Sequence, residues 1–269
     1  MTDDEIICET PIDGVKVVRF NRPASLNAFT HSMYHNLLDI LADIRVDSSI
    51  RAMILTGTGR GFCSGHDLKA AGENNFGAPG FGKAHIDRLT MEGMNRIPLA
   101  MRALPQPIIC GVNGVAAGLG YSLALASDMA IAARSAKFIN TIHNAATGAE
   151  LGLSYFLPRA IGSQRAAELL YTSRPVLAEE AAQIGLVLRM VEDADLLEAC
   201  LDVARGVIQN VPMGITLTKQ TLQVNQNIGS LEAAMEMESR ATMIAINTDD
   251  AKEKRASFWE KRSPVFKND

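Results

Sequence analysis

The sequence predicts an α/β core followed by a helical C-terminal region, and three observations lead to this prediction. Short apolar and β-branched runs alternate with segments of helical periodicity over about the first two thirds of the 269 residues. Beyond residue 192 the strand-like runs stop, and the pattern is nearly all helical to residue 259. Apolar residues make up 47% of the chain, which is enough for a sizeable buried core. We therefore divide the chain into a core of residues 1–192 and a helical region of residues 193–269.

The first predicted elements are a β-hairpin and a helix. EIICET and VKVVRF, residues 5–10 and 15–20, flank Asp13-Gly14, a dipeptide typical of a tight hairpin turn. Residues 32–44 carry apolar side chains at helical spacing. His31 and His35 lie four residues apart at this helix, a spacing able to bind a metal ion. Because the sequence offers no evident third ligand, we interpret both as surface histidines.

The later elements follow the same alternation. Buried strands are predicted in residues 51–57, 106–114, 128–133 and 137–141, and the last strand-like run is LVLRMVE, residues 186–192. A helix is predicted over residues 85–104, and it ends before two prolines. GENNFGAPGFG, residues 72–82, is too rich in glycine for a regular element and is either a lid over a site or a passive loop. The C-terminal helices are expected to break at Pro212 and Gly229.

Composition and charge exclude several classes of protein. A net charge of −4 and a pI near 5.8 argue against a nucleic-acid-binding surface. No apolar run is long enough to predict a membrane span, and the acidic start MTDDEIICE does not resemble a secretory signal. The four cysteines show no CxxC pairing, so we expect reduced, mostly buried thiols rather than a zinc site. We expect a cytoplasmic protein that binds no metal.

Three glycines stand directly before an apolar run in NGVAAGLGYSLALASD, residues 113–128. A dinucleotide fingerprint would need a third glycine after Gly118 and Gly120 and an acidic residue about 20 positions later, and both are missing. A nucleophile elbow at Ser122 would need a histidine base in the right order, yet only His143 follows. A third interpretation is that the start of a helix presents unpaired N–H groups to a developing oxyanion.

One such N–H group makes a poor oxyanion hole, so a second donor loop is expected. GRGFCSGHDLKAAG, residues 59–72, follows the strand of residues 51–57 in the same way, with Asp67 placed to cap the next turn. Neither segment has the glycine-lysine pattern of a phosphate-binding loop. The two segments together predict two halves of one oxyanion hole.

Several spaced motifs resemble the crotonase (enoyl-CoA hydratase/isomerase) superfamily. They are NRP..LNA in residues 21–28, G.GFCSGHDL in 59–68, PIICGVNGVAAGLGYSLALASDMAIAA in 107–133, a motif over 138–162 that begins with Phe138 and ends in G.S..LPR.IG, and FWEKRSPVF in 258–266. The resemblance covers nearly the whole chain. It implies a spiral of ββα units with a helical trimerisation region, an acyl-CoA thioester as substrate, and a homotrimer or dimer of trimers. Coenzyme A is part of that substrate, so no separate cofactor is expected.

The resemblance also assigns catalytic roles. The thioester oxygen is held in this family by two backbone N–H groups, which correspond here to His66 and Leu119. Hydratases of the family use two glutamates, and their positions hold Ser122 and Ile142 in this chain. Glu150 matches the position of an aspartate that acts in dienoyl-CoA isomerases and in a dehalogenase, so we expect Glu150 to transfer the proton. The alternative is a glutamate favoured at a helix start by the helix dipole.

Further substrate contacts are expected at the motif positions and at basic residues. The expected contacts are Arg22, Ala28, Ser64, Gly65, Asp67, Leu68, Gly118, Ser122, Ile142 and His143. The CoA phosphates are expected to meet basic side chains among Arg22, Lys69, Lys261, Arg262 and Lys267. The reaction implied is double-bond isomerisation of an enoyl- or dienoyl-CoA. Two alternatives stay open, a hydratase that uses one carboxylate and a catalytically reduced member that binds acyl-CoA.

Overall fold

The computed structural model describes residues 4–67, 80–141 and 148–268, and the strands of these residues form two sheets. The strands are β1 (Ile6–Ile12), β2 (Val15–Phe20), β3 (Ala52–Gly57), β4 (Gly61–Cys63), β5 (Ile108–Val112), β6 (Val115–Ala117), β7 (Met129–Ala133), β8 (Lys137–Ile139), β9 (Val176–Leu177) and β10 (Arg189–Val191). The larger sheet has the order β1-β2-β3-β5-β7-β10, and the smaller sheet has the order β4-β6-β8-β9.

The predicted hairpin and the predicted spiral are both confirmed. β1 and β2 are antiparallel across the Asp13-Gly14 turn, whereas β2, β3, β5, β7 and β10 are parallel. The pairs β3/β4, β5/β6 and β7/β8 each place the first strand in the larger sheet and the second in the smaller one. The chain therefore winds in repeated ββα turns, and β4, β6 and β8 lie parallel to one another.

The helices agree with the predicted periodicity. They are α1 (His31–Val46), α2 (Lys83–Ala103), α3 (Leu119–Ala126), α4 (Leu153–Ile161), α5 (Ser163–Thr172), α6 (Ala178–Gln183), α7 (Leu196–Ile208), α8 (Pro212–Asn225), α9 (Leu231–Ile246) and α10 (Asp249–Glu260). The breaks expected at Pro212 and Gly229 are present. A further break was not predicted: the Thr248 hydroxyl accepts a hydrogen bond from the Ala251 amide at 3.1 Å, which caps the start of α10.

The larger sheet is buried on both faces. Alternate residues such as Val18 and Leu55 enter the main core, while their neighbours Val17 and Ile54 point to the opposite face. That opposite face is covered by α7, which presents Leu196, Cys200 and Ala204 at helical spacing. Cys63, Cys110 and Cys200 are buried free thiols as expected, whereas Cys8 is exposed.

The C-terminal region is joined to the core by a buried ion pair. Lys219 in α8 has a side chain that is only 6% exposed, and its Nζ lies 2.7 Å from Oδ2 of Asp128, just before β7. The same ammonium donates to the carbonyl of Gln106 at 3.0 Å, and Gln223 donates to the carbonyl of Arg102 at 2.8 Å. α8 therefore satisfies backbone carbonyls at and beyond the end of α2.

The next helix behaves differently. α9 buries none of its residues, and it exposes apolar side chains that include Met235, Met243 and Ile244. None of the described helices has the length and apolar character that crossing a membrane requires.

Candidate active site

The two glycine loops predicted to act together are neighbours in space. Gly65, which follows β4, has φ +106°, and Gly118, which follows β6, has φ +50°. Both values favour glycine over residues with a side chain. A Cβ built on Gly65 would lie 4.0 Å from the Leu119 nitrogen, and one built on Gly118 would lie 3.9 Å from the Gly65 Cα. Because β4 and β6 are adjacent and parallel, the loops at their ends meet.

α3 is also held close to β4 by its second residue. A Cβ built on Gly120 would lie 2.1 Å from the carbonyl oxygen of Cys63, the last residue of β4. Only a hydrogen atom fits between these two backbones. The start of α3 is therefore held against the loop that contains His66.

The amides of His66 and Leu119 are not used by the backbone of the described residues. Gly65 and Asp67 form the backbone bridge to Phe29, since the Phe29 N–H donates to Gly65 O at 2.8 Å and the Asp67 N–H donates to Phe29 O at 2.9 Å. This bridge uses the Gly65 carbonyl and the Asp67 amide, so the His66 N–H between them points away from Phe29. Leu119 is the first residue of α3, where an N–H group has no partner within the helix. In the described part of the chain, neither amide donates a hydrogen bond.

Ion pairs hold the His66 loop in place. Arg22 lies 3.0 Å from Asp67 and 3.3 Å from Glu5, and it also donates to the carbonyl of Ala28. Ser64 donates its hydroxyl to the carbonyl of Ser25 at 3.1 Å. These side chains were expected to contact substrate, and in the structure they bind protein groups. Their contact with substrate stays a prediction.

Glu150 carries a half-buried carboxyl group just before α4. It precedes Leu151 and Gly152, whose φ values of +54° and +82° turn the chain into the helix. Burial raises the pKa of the Glu150 carboxyl. Among the residues whose positions are given, none forms a hydrogen bond or ion pair with this carboxyl, and no amide of α4 is capped by it. Glu150 therefore makes no capping hydrogen bond to α4, and the alternative that the helix dipole favours this glutamate stays open.

A cluster of rings from α1 surrounds the His66 side chain. The ring of His31 lies 5.5 Å from the ring of His66, and the ring of Tyr34 lies 5.8 Å from it. Burial, then the neighbouring His31, lowers the pKa of His66, which favours its neutral imidazole. Burial raises the pKa of Tyr34 well above its usual value, and the nearby Cys63 thiol and Glu150 carboxyl raise it further. The Tyr34 ring therefore lies beside that of His66, and its phenol interacts electrostatically with the Glu150 carboxyl.

Sequence reasoning missed this ring cluster. We interpreted His31 as a surface residue, but it is only 5% exposed, so that interpretation was wrong. Its spacing of three residues from Tyr34 places the two on one face of α1. This spacing was the signal in the sequence that could have revealed the ring cluster. No three His, Cys, Asp or Glu side chains of the described residues lie together as a metal-binding group.

The remaining predicted residues are partly outside the described ranges. Leu68, Lys69, Ile142 and His143 lie outside them, as does most of the loop of residues 72–82. Ser122 is buried in α3, where its amide donates to the carbonyl of Gly118 at 3.1 Å.

At the C-terminus, Arg262 forms an ion pair with Glu253, while Lys261 is exposed and caps the end of α10. A role for the basic C-terminal residues in binding CoA stays a prediction.

Comparison with known proteins identifies the family. Residues 11–269 match the family described as enoyl-CoA hydratase/isomerase. The chain is 40% identical over 274 residues to a probable enoyl-CoA hydratase, EchA12 of Mycobacterium tuberculosis, with 98% of this chain and 93% of the relative covered. A crystal structure of a probable enoyl-CoA hydratase/isomerase from Mycobacterium abscessus is 36% identical, with a TM-score of 0.90, and covers 98% of this chain and 99% of that one. The structure of a monofunctional enoyl CoA isomerase from M. smegmatis is 42% identical, with a TM-score of 0.73, and covers 86% of this chain and 98% of that one. This chain is therefore an enzyme of the enoyl-CoA hydratase/isomerase family and has the crotonase fold.

Proposed function

We propose that this enzyme moves the double bond of an enoyl- or dienoyl-CoA thioester and that Glu150 carries the proton. The observation behind this proposal is the half-buried Glu150 carboxyl, which has no hydrogen-bond or ion-pair partner in the described ranges and interacts electrostatically with Tyr34, whose ring lies 5.8 Å from that of His66. A neutral hydroxyl, Ser122, stands where the resemblance expects a hydratase glutamate. The similarity to the M. smegmatis protein, an enoyl CoA isomerase, supports the same reaction class.

The proposed reaction begins with the thioester carbonyl bound between the His66 and Leu119 amides. For a β,γ-unsaturated thioester, the Glu150 carboxylate removes a proton from the α-carbon. The electron pair of that C–H bond delocalises onto the thioester oxygen and forms a dienolate. The carboxylic acid of Glu150 then returns the proton to the γ-carbon, which leaves an α,β double bond and the original carboxylate.

Two physical effects make this sequence feasible. Two preorganised N–H donors stabilise the negative oxygen, and each such donor is worth roughly 10²–10³ in kcat. Burial raises the pKa of Glu150, which makes its carboxylate a stronger base for a weakly acidic C–H bond. The reaction moves a proton within one substrate, so the proposal includes no cofactor beyond the coenzyme A of the thioester.

The test is a panel of thioesters assayed with the wild type and Glu150→Gln. The panel contains β,γ-enoyl, dienoyl, crotonyl, β-keto and halo-acyl CoA. We expect isomerisation of a β,γ-enoyl or dienoyl thioester, and a loss of roughly 10²–10⁴ in kcat for Glu150→Gln. Unchanged turnover in this variant would refute the role of Glu150.

Two other outcomes identify the alternatives. Hydration of crotonyl-CoA without isomerisation would favour the hydratase, which agrees with the name of the M. tuberculosis relative. Tight binding with no turnover of any thioester would indicate a catalytically reduced member. Both outcomes would overturn the proposed isomerisation.

We also propose that the enzyme is a homotrimer or a dimer of trimers. The support is the set of apolar side chains exposed on α9 and at the end of α10, where Phe258 and Trp259 are 72% and 80% exposed. Light scattering of the purified protein should give three or six times the chain mass of 29.0 kDa. A monomeric mass at micromolar concentration would contradict this proposal.

A further inference from the structure

Asn27 is a fully buried residue between two chain segments, one of residues 22–29 and one of residues 57–67. Its φ is +57°, and that of Leu26 before it is +51°. Two successive residues with side chains rarely adopt this left-handed conformation, although asparagine tolerates it better than leucine. Backbone strain of this kind persists only where the surrounding contacts impose it, and it is concentrated at functional sites. The contacts of Asn27 therefore identify what the strain supports.

Both polar atoms of the Asn27 side chain bind backbone groups. Nδ2 donates to the carbonyl of Gly61 at 2.7 Å and to that of Thr58 at 3.0 Å, at the turn that leads into β4. Oδ1 accepts a hydrogen bond from the Arg22 amide at 2.7 Å. The side chain of Arg22 in turn forms the 3.0 Å ion pair with Asp67. Asn27 therefore joins the start of β4 to the residue that holds the far end of the same loop.

Two glycines allow the segments to approach this closely. A Cβ built on Gly57 would lie 2.6 Å from Nδ2 of Asn27, and one built on Gly61 would lie 2.9 Å from the Leu26 Cβ. Both distances are below 3.0 Å, under which real Cβ contacts essentially never fall. The space that side chains would fill at residues 57 and 61 is the space that the Asn27 amide and the Leu26 backbone occupy.

The backbone on either side of Asn27 continues this contact to the loop that presents the His66 amide. The carbonyl of Leu26 accepts a hydrogen bond from the Ser64 amide at 3.0 Å. Phe29, two residues after Asn27, forms the backbone bridge to the loop at His66. A shift of residues 22–29 relative to β4 would therefore move the His66 N–H.

We propose that Asn27 is a positioning residue, whose side-chain amide holds residues 22–29 against the start of β4 and so directs the His66 N–H at the thioester oxygen. This inference rests on the proposed function, because it assumes that the His66 amide is an oxyanion donor. It does not depend on which group transfers the proton.

The test compares Asn27→Asp with Gln106→Glu. Each substitution keeps the size of the side chain and replaces a donor NH2 group by an oxygen atom. Gln106 is a matched control, since its amide also donates to two carbonyls, those of Ile44 at 2.8 Å and Ile50 at 3.4 Å, at the opposite end of β3 from Asn27. Asn27→Asp should lower kcat about 100-fold, as expected for a misplaced catalytic group. The change in KM should be smaller, because an oxyanion donor acts chiefly as charge develops. Gln106→Glu should keep the kcat of the wild type.

The absorption spectrum of bound hexadienoyl-CoA gives a readout that a loss of stability alone does not change. N–H donors polarise the carbonyl of a conjugated thioester, which moves its near-ultraviolet absorption to longer wavelength in the folded complex. This shift should be present in the wild type, in Gln106→Glu and in Glu150→Gln, because the His66 amide is unmoved in all three. It should be reduced in Asn27→Asp. Either a full shift or an unchanged kcat in Asn27→Asp would overturn the inference.

A second variant keeps the asparagine and tests the same contact if Asn27→Asp does not fold. In Gly61→Ala the added methyl group would lie 2.9 Å from the Leu26 Cβ, so it separates residues 22–29 from β4. We expect this variant to lower kcat and to reduce the spectral shift together. Wild-type values of both in Gly61→Ala would refute the role of this contact.

The same spectra separate failure of this inference from failure of the proposed function. If hexadienoyl-CoA shows no shift with the wild type, the oxyanion hole fails, and the inference about Asn27 fails with it. If the wild type and Asn27→Asp show the same full shift, only the role of Asn27 fails.

Discussion

The close contact between Gly120 and Cys63 predicts that one methyl group will separate the two halves of the oxyanion hole. An alanine Cβ at residue 120 would lie 2.1 Å from the Cys63 carbonyl oxygen, whereas real Cβ contacts essentially never fall under 3.0 Å. The contact must lengthen from 2.1 Å to at least 3.0 Å, so the two backbones must move apart by about 0.9 Å. Neither atom belongs to a flexible side chain, so the displacement passes to the Leu119 and His66 amides.

A displacement of this size should reduce both activity and stability. Misplacing catalytic groups by about 1 Å can cost 10²-fold in rate. Overpacking a core typically costs about 1–3 kcal/mol of the free energy of unfolding. We therefore expect Gly120→Ala to lower kcat about 100-fold on the thioester that the wild type turns over.

The assay measures kcat and the free energy of unfolding in denaturant for Gly120→Ala and for a control, Gly206→Ala. Gly206 also lies in a helix, α7, but a Cβ there would meet no atom within 4 Å. The control should keep wild-type kcat and gain up to about 1 kcal/mol, because alanine favours a helix. If Gly120→Ala retained the kcat and stability of the wild type, the distance between these backbones would not control the hole.

Three further predictions concern charged groups. Because burial raises the pKa of Glu150 and the base must be ionised, kcat should fall as pH falls through a value above 4.5, as a kcat–pH profile will measure. A raised folded-state pKa favours folding at low pH and is a penalty at high pH, so Glu150→Gln should unfold at higher denaturant than the wild type at pH 8 and at nearly the same denaturant at pH 4. Lys219→Met should cost about 1–3 kcal/mol in the free energy of unfolding, because Asp128 loses the nearer of its two cationic partners and keeps Arg102 at 3.7 Å and the Ile108 amide. The control Lys252→Met breaks an exposed pair with Asp249 and should cost at most about 1 kcal/mol; equal losses in the two variants would contradict the reasoning.

Much of the fold could be predicted because its determinants are local in the sequence. The Asp13-Gly14 turn, the alternating strand residues and the helical stripes each depend on neighbours a few positions apart. The proximity of the two glycine loops was also predicted, because both segments show the same pattern of a strand, a glycine loop and the start of a helix. The break before α10 was missed because its signal is a single capping threonine, Thr248, within an otherwise helical pattern.

The side-chain partners in the site could not be predicted from the sequence. Periodicity gives the buried face of α1, but it does not say that His31 and Tyr34 pack against His66, which lies more than thirty positions away. Charge alone suggested that Arg22 binds CoA, while its ion pairs with Glu5 and Asp67 arise only when three segments meet. Such contacts depend on tertiary packing, and no local pattern records them.

The ion pair between Lys219 and Asp128 also limits how the gene for this protein can be shortened. A fragment that stops after α7 would retain all ten strands described above and both glycine loops. It would nevertheless leave Asp128 without its lysine and release the carbonyls that α8 binds at the end of α2. We expect such a fragment to be degraded or to aggregate, so minimal versions for engineering must extend at least to residue 225, the end of α8.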